Sequence, residues 1–142
     1  MKQILIVEDI AETRDWLVDI ATAAFPSAQI VACVNIKAAQ QALGKQVFDL
    51  GLIDVGLPDG SGIDLLRFIQ EQQVPTICVI TTMMSDDATV VAALSAGADG
   101  YLLKDNPETV LTRQLTQLAS GVPALSPPIA RRIMEHFRRT GP

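Results

Sequence analysis

Histidine, cysteine and aromatic side chains are scarce in this sequence of 142 residues, which contains one histidine, two cysteines, one tryptophan and one tyrosine. A zinc site or a disulfide framework would need more cysteine or histidine than this chain offers. Cys33 and Cys78 both lie in apolar stretches, where cysteine usually behaves as a small buried hydrophobic residue. We therefore expect neither a thiol-based metal site nor a disulfide.

Long hydrophobic runs are also missing. No apolar run approaches the roughly 20 residues that a membrane-spanning helix requires. The amino-terminal segment MKQILIVEDI is interrupted by Glu8 and Asp9, which argues against a signal peptide. Hydrophobic residues nevertheless make up 49% of the chain, enough to fill a core. We expect a soluble cytoplasmic protein without membrane contact.

Positive charge is scarce in residues 1–125, which hold 7 basic and 15 acidic side chains. Residues 126–142 have the opposite balance, with four arginines and one glutamate. An acidic body repels the phosphates of nucleic acid, which argues against direct nucleic-acid binding by this domain. It is compatible with a divalent cation as ligand.

Five strand-like runs alternate with helical stretches. The predicted strands are Gln3–Val7, Gln29–Val34, Leu50–Ile53, Thr76–Thr81 and Gly100–Leu103. The first, third and fourth are apolar nearly throughout, which is typical of parallel strands buried on both faces. The pattern predicts an α/β fold with a five-stranded parallel sheet and helices on both faces. Known flavodoxin-like (βα)5 folds of this kind have the strand order 2-1-3-4-5, which we expect here as well.

Capping residues and glycines mark the predicted helix ends. The first helix is predicted over Ala11–Ala24 from an apolar stripe at helical spacing. The later helices are predicted to start at Asn35, Ser61, Ser85 and Asn106, with Pro107 at the first helical position of the fifth. Asp64 nearly completes a capping box with Ser61. Gly44 and Gly97 are predicted to end the second and fourth helices.

The tail differs from the body. Ser120–Pro128 is rich in proline, glycine and serine and is predicted to be a connector. A sixth helix then begins at Ser126 and Pro127. Its predicted apolar stripe is Ile129, Ala130, Ile133, Met134 and Phe137, and its arginines are interpreted as a solvated face rather than a DNA contact. His136 is interpreted as a surface residue. These features divide the chain into a domain at residues 1–120 and a connector with a linker helix at residues 121–142.

Polar side chains lie at the carboxyl ends of four of the five predicted strands. These residues are Glu8, Asp9, Asp54, Thr81, Thr82 and Lys104. The carboxyl ends of parallel strands meet at one edge of a sheet, where ligands of such folds bind. We therefore expect these side chains to converge on one pocket.

The chemistry of this set is that of phosphoryl transfer. Three carboxylates close together attract a hard cation such as Mg²⁺, which keeps waters and leaves room for phosphate oxygens. A carboxylate oxygen of Asp54 can attack phosphorus and form an acyl phosphate. Lys104 can offset charge on the phosphoryl oxygens, and Thr82 can donate a hydrogen bond to one of them.

The segments ILIVEDI, LIDVGLPDGSGIDLL, ITTMMSDD and LSAGADGYLLKD resemble the receiver domains of bacterial two-component response regulators over about residues 2–120. The runs DVGLPDGSG and GADGYLLKD are most similar to the NarL/FixJ class of transcription regulators. The resemblance implies that Asp54 is the phosphoacceptor and that Lys104 is the lysine of the active site. It also implies that Pro58 and Gly62 shape the loop after the phosphoacceptor.

The same resemblance implies a metal site and a switch. The metal residues are Glu8, Asp9, Asp54 and the backbone carbonyl of Gly56, with Mg²⁺ or Mn²⁺ as the ion and Asp9 as the favoured direct ligand from the acidic pair. Thr82, rather than Thr81, matches the switch hydroxyl because of its spacing from Lys104. Tyr101 matches the switch aromatic and is expected to move inward when Thr82 turns toward the phosphoryl group.

The resemblance further implies partners. A sensor histidine kinase would supply the phosphoryl group, and the receiver would be no enzyme beyond at most weak autophosphatase activity. Members of the class usually continue into a helix-turn-helix domain, and SPPIARRIMEHFRR resembles the linker helix before it. We therefore expect part of a transcription regulator that reaches DNA only through an output domain absent from this chain. A stand-alone receiver or phosphotransfer intermediate is the alternative, and a homodimer stays open.

The sequence argues against three other classes of protein. A phosphatase of the haloacid dehalogenase type would carry a second aspartate two residues after the nucleophile, where this chain has Gly56. A flavodoxin-like FMN carrier would need a glycine- and hydroxyl-rich loop where Glu8 and Asp9 would repel phosphate. A pseudo-receiver that is never phosphorylated is disfavoured by the complete acidic set together with Lys104.

Overall fold

Strands and helices alternate as the hydrophobic pattern predicts. The computed structural model describes residues 1–83, 87–121, 124–125, 130–131 and 133–135. The strands are β1 (Gln3–Val7), β2 (Gln29–Cys33), β3 (Leu50–Asp54), β4 (Gly56–Leu57), β5 (Gly60–Ser61), β6 (Ile77–Thr82), β7 (Gly100–Leu103) and β8 (Ala124–Leu125). The helices are α1 (Ala11–Ala24), α2 (Ile36–Leu43), α3 (Gly62–Glu71), α4 (Asp87–Ser95) and α5 (Glu108–Ala119).

The main sheet is parallel and has the order β2-β1-β3-β6-β7-β8. Its first five strands are the five predicted ones, so the predicted order 2-1-3-4-5 is confirmed. The sheet differs from the prediction by β8, which pairs in parallel with β7 through the register Gly100↔Ala124 and Tyr101↔Leu125. A separate antiparallel hairpin of β4 and β5 follows the central strand β3.

Alternating side chains of the strands fill two cores, one on each face of the sheet. On one face Ile53 and Ile80 belong to a cluster with residues of α2, α3 and α4. On the other face Leu52 and Val79 belong to a cluster with residues of α1 and α5. Because both faces are covered, the central strands are apolar at successive positions rather than at alternate ones.

Side-chain caps fix two of the helix starts. The Asn35 Oδ1 accepts a hydrogen bond from the Ala38 amide at 2.8 Å, and the Ser61 Oγ accepts one from the Ile63 amide at 3.1 Å. Both predicted N-caps are therefore confirmed. The Asp64 carboxylate accepts a hydrogen bond from Arg67 at 3.5 Å.

The other predicted helix ends have mixed outcomes. Pro107 is the residue before α5 rather than its first helical position, because its ψ of 149° is extended while its carbonyl already accepts bonds from the first turn. Gly44 ends α2, and Gly97, with φ of +103°, follows α4 in a conformation that favours glycine. Ser85, the predicted cap of α4, lies outside the described residues.

The tail returns to the body of the domain. β8 joins the sheet beyond residue 120, and the described residues 130–131 and 133–135 are helical. Ile133 packs against the core cluster on the α2–α4 face, as its place in the predicted apolar stripe requires. Met134, predicted to belong to the same stripe, is 55% exposed, so the buried stripe is narrower than predicted. Ile129, His136, Phe137 and three of the tail arginines lie outside the described residues.

Within the part of the chain that the structure describes, no helix combines the length and the apolar character needed to cross a membrane.

Candidate functional site

Four neighbouring strands end at the same edge of the sheet, and their register brings the predicted site residues together. β1 and β3 are aligned through Val7↔Ile53, so Glu8 follows one strand beside Asp54 at the end of the other. β3 and β6 are aligned through Asp54↔Thr81. β6 and β7 are aligned through Thr82↔Leu103, which brings Lys104 next to the end of β6. The predicted convergence is therefore present.

Three carboxylates form the centre of the site. One oxygen from each of Glu8, Asp9 and Asp54 lies within 4.8 Å of the other two. Glu8 is fully buried, Asp54 is 7% exposed and Asp9 is exposed. Oxygen donors at this spacing are the ligands that Mg²⁺ and Mn²⁺ prefer, so the donor set fits a hard divalent cation.

Lys104 lies between two of these acids. Its Nζ is 2.6 Å from the Asp54 Oδ1, and it also donates a hydrogen bond to the Glu8 Oε1. The Lys104 backbone amide donates to the Thr82 carbonyl at 2.8 Å, which fixes the start of the side chain beside β6. The lysine charge thus opposes the mutual repulsion of the carboxylates.

Glu8 has every polar group engaged. Its amide donates to the Cys33 carbonyl at 3.0 Å, and its Oε2 accepts from the Ile10 amide at 3.3 Å while Oε1 faces Lys104. Burial raises the pKa of the Glu8 carboxyl above its ordinary value, and the hydrogen bond and charge of Lys104 act against that shift. Glu8 is therefore held rigidly, whereas the exposed Asp9 carboxylate faces solvent.

The hairpin after β3 closes the other side of the site. A Cβ added to Gly56 would lie 3.9 Å from the Asp54 Oδ2, so this residue borders the Asp54 carboxylate. A Cβ added to Gly62 would lie 2.0 Å from the Asp54 carbonyl oxygen. The backbone of α3 therefore approaches β3 more closely than any larger residue would allow.

The predicted switch residues are both buried. Thr82 is 3% exposed at the end of β6. Tyr101 is fully buried in the cluster on the α2–α4 face, between β6 and β8 in the sheet. The Tyr101 ring is already buried in this structure, so the predicted inward movement of this side chain does not start from an exposed position. Thr81 is also buried, and its Oγ1 has no hydrogen-bond partner among the described residues.

Two polar side chains of the site were not singled out from the sequence. The Arg14 Nη1 donates to the carbonyls of Glu8 and Asp9. Asp59, in the turn between β4 and β5, accepts from the Ile36 and Lys37 amides at 2.9 and 3.0 Å. The bond from Ile36 is the largest cause that lowers the pKa of Asp59. Asp59 links the turn between β4 and β5 to the first turn of α2, 22 to 23 residues away in sequence, which local sequence patterns cannot reveal.

A cleft of about 400 Å³ opens beside Lys104. Its other lining residues are Ile10, Glu12, Thr13, Trp16 and Met83. Ile10 and Met83 are 57% and 64% exposed, so the approach to the acidic site has an apolar rim.

Curated proteins with described roles are similar to this chain in sequence. DevR/DosR of Mycobacterium tuberculosis, described as a DNA-binding transcriptional activator, is 30% identical over 139 residues, which cover 97% of this chain and 64% of that protein. The nitrate/nitrite response regulator NarL of Escherichia coli K12 is 37% identical over 78 residues, which cover 55% of this chain and 36% of that protein. The chain thus spans less than two thirds of either relative.

Solved structures agree with the fold. A LuxR-family two-component response regulator from Aurantimonas sp. SI85-9A1 superposes with a TM-score of 0.84 at 27% identity, covering 94% of this chain and 96% of that one. The isolated receiver domain of RcsB from Salmonella enterica serovar Typhimurium, solved with the phosphomimetic BeF₃⁻, gives a TM-score of 0.82 at 20% identity over 92% and 97% of the two chains.

A family profile matches most of the chain. The profile of the response regulator receiver domain matches residues 4–116, which include every residue of the acidic site and Lys104. The chain belongs to this family of receiver domains, which are regulatory phosphorylation domains rather than classical enzymes.

Proposed function

We propose that Asp54 is the residue that accepts the phosphoryl group, from a sensor histidine kinase. The observation that carries the proposal is the geometry around its carboxylate. Asp54 Oδ1 is 2.6 Å from the Lys104 Nζ, inside a cluster of three acids at the carboxyl edge of the sheet. A carboxylate with a cation on one side and a metal-type donor set on the other is suited to phosphoryl transfer.

The transfer uses few protein groups. An Asp54 oxygen forms a bond to phosphorus, the bond between phosphorus and the donor's imidazole nitrogen breaks, and the electron pair stays on that nitrogen. Lys104, now bonded to both Asp54 and Glu8, can turn to a phosphoryl oxygen without leaving the site. Thr82 ends β6 beside this lysine, because its carbonyl accepts a hydrogen bond from the Lys104 amide, and its hydroxyl is the proposed donor to a phosphoryl oxygen.

Receiver domains bind Mg²⁺ at an acidic pocket, and the donor set here fits that ion. We assign the ligands as the carboxylates of Asp9 and Asp54 and the carbonyl of Gly56, with Glu8 beside them. Support for Asp9 as the direct ligand from the acidic pair comes from its exposure, since both oxygens of Glu8 already accept hydrogen bonds. When bound, the ion neutralises negative charge on the phosphoryl oxygens.

The response to phosphorylation is proposed to pass through Thr82 and Tyr101. A new phosphoryl group can bias only an element with two arrangements. Thr82 ends the strand that pairs with the strand of Tyr101, through the register Ile80↔Tyr101. A turn of the Thr82 hydroxyl would therefore alter the packing around a ring that is already buried, and with it the surface of α4 and β7.

Output is proposed to be transcriptional. Residues 1–120 would form the receiver and residues 121–142 a connector and linker helix toward a DNA-binding domain. Supporting this, the relatives include proteins described as transcriptional regulators that are longer than this chain. We propose a cytoplasmic location beside the kinase, and homodimer formation as one route by which phosphorylation changes the output. Autophosphatase activity is expected to be weak at most.

Intact-mass spectrometry tests the phosphoacceptor. Acetyl phosphate with Mg²⁺ should add one phosphoryl group to the wild type and none to Asp54→Asn. Asp19→Asn, which neutralises an exposed acid on α1, is the matched control and should be phosphorylated like the wild type. An adduct of unchanged yield in Asp54→Asn would assign the phosphoacceptor to another residue.

A further inference from the structure

Arg14 lies in the first turn of α1, and its side chain points back toward the loop that carries two of the acids. Its Nη1 donates a hydrogen bond to the Glu8 carbonyl oxygen at 3.1 Å and another to the Asp9 carbonyl oxygen at 3.3 Å. Side chains on helices lean toward the amino terminus, which makes this reach possible. One nitrogen atom therefore ties two successive peptide groups of the acidic loop.

A cation is an unfavourable choice for the first turn of a helix. The helix dipole is positive at its amino terminus, so acidic side chains are favoured there and basic ones are not. The residue before α1 is Ile10, whose side chain makes no capping hydrogen bond. The placement is therefore explained by what Arg14 does for the acidic loop rather than for the helix.

Glu8 and Asp9 differ in the number of contacts, other than those of Arg14, that hold them in place. Glu8 is fixed by its amide, by both carboxylate oxygens and by burial. Asp9 is exposed, and Arg14 provides the hydrogen bond that holds its carbonyl. Without this hydrogen bond the Asp9 peptide group could rotate and move the Asp9 side chain away from Asp54. Groups outside the ligand set that orient metal ligands commonly matter for affinity.

We propose that Arg14 is a positioning residue for the divalent cation: it fixes the peptide groups of Glu8 and Asp9 so that their carboxylates converge with Asp54. The inference rests on the proposed metal site. In this role Arg14 favours Mg²⁺ binding through geometry, although its positive charge repels the ion.

Positioning by Arg14 and repulsion by its charge predict opposite changes in Mg²⁺ affinity when the arginine is removed. Mg²⁺ would be titrated into ¹⁵N-labelled protein while the amide resonance of Gly56, on the opposite loop, is followed. Arg14→Gln should weaken Mg²⁺ binding about 10-fold, the lower end of the effect known for groups that orient metal ligands. If charge alone mattered, removing the arginine would tighten binding. Arg113→Gln, the same change at an exposed position on α5, should stay within twofold of the wild type.

A second variant separates geometry from charge. Arg14→Lys keeps the charge, but its ammonium is one bond short of the position of Nη1, so binding should also weaken severalfold. Amide hydrogen exchange without metal gives an independent readout: the Ile10 amide, which donates to Glu8 Oε2, should exchange faster in both variants. If Arg14→Gln does not fold, Arg14→Lys decides the question.

The outcomes are distinguishable. Wild-type affinity and unchanged Ile10 exchange in both Arg14 variants would overturn the role of Arg14 and leave the metal site intact. Tighter binding in Arg14→Gln would also overturn it, in favour of simple charge repulsion. A wild-type protein that binds no Mg²⁺ at this site would instead contradict the proposed metal site itself.

Discussion

Replacing Gly62 by alanine should unfold or severely destabilise the domain, although alanine is the better helix former. The added Cβ would lie 2.0 Å from the Asp54 carbonyl oxygen and 2.8 Å from its carbon. Ordinary contact begins near 3.4 Å, so two backbone segments must separate by about 1.4 Å. Because no rotamer change can relieve this overlap, the cost should exceed the upper end of about 3 kcal/mol typical of overpacking. The gain in helix propensity is only about 1 kcal/mol.

Urea unfolding followed by circular dichroism measures the effect. With a slope of about 1.5 kcal/mol per M, a loss of about 3 kcal/mol lowers the midpoint by about 2 M. Gly44→Ala is the matched control, because its Cβ would meet its nearest atoms at 3.5 and 3.6 Å and its φ is −73°. It should be neutral or stabilising by up to about 1 kcal/mol. A Gly62→Ala midpoint equal to that of the wild type would refute the close approach of α3 to β3.

Two further predictions concern titratable groups. Hydrogen bonds from the Gln3 and Lys2 amides lower the pKa of Asp49 in the folded protein. The ionised Asp49 carboxylate therefore stabilises the folded state fully above the unfolded pKa of about 3.9, and this contribution is lost as the pH falls through the folded pKa. Asp49→Ala should therefore lower the free energy of unfolding by at most about 1 kcal/mol at pH 7. Unfolding curves of the variant and the wild type should differ less below pH 4, and a difference that does not change with pH would exclude this linkage. Burial raises the pKa of Cys78 to about 12 and also raises that of Cys33. At pH 8 iodoacetamide should add no mass to the native protein and two adducts in urea, and rapid native alkylation would contradict the burial of the thiols.

The parts of the fold that could be predicted from the sequence are those with long, regular hydrophobic signals. The five strands of the (βα)5 pattern are apolar over four or more residues, and parallel register then forces their ends to one edge. For this reason the sequence alone predicts that Glu8, Asp54 and Lys104 lie together. Asn35 and Ser61 could be predicted as N-caps because asparagine and serine are strongly preferred there, where the side-chain oxygen accepts a hydrogen bond from an amide of the first turn.

The unpredicted parts depend on contacts that are distant in sequence or on elements too short to show a period. β4, β5 and β8 have two residues each. The bonds of Asp59 to the start of α2 and of Arg14 to the acidic loop involve single side chains with no pattern around them. β7 is the edge strand in the predicted order, and the observed sheet extends one strand further through its pairing with β8.

Thr81 tests the assignment of the switch hydroxyl to Thr82. Thr81 is the register partner of Asp54, and side chains of partners in a parallel pair lie on the same face of the sheet. Its Oγ1 is nevertheless buried without a hydrogen-bond partner among the residues that the structure describes, which costs about 1–3 kcal/mol. Thr81→Val removes the hydroxyl at nearly constant shape.

The expected result is a gain of about 1 kcal/mol in the free energy of unfolding, because an unpaired hydroxyl is replaced by a methyl group. Thr81→Val should also keep its phosphorylation by acetyl phosphate and its amide shifts with BeF₃⁻, whereas Thr82→Val should be phosphorylated but show reduced shifts around β7. Urea unfolding, mass spectrometry and NMR measure these three properties. If Thr81→Val is less stable and loses the response to BeF₃⁻, the hydroxyl beside Asp54 is the one that senses the phosphoryl group, and the spacing argument for Thr82 fails.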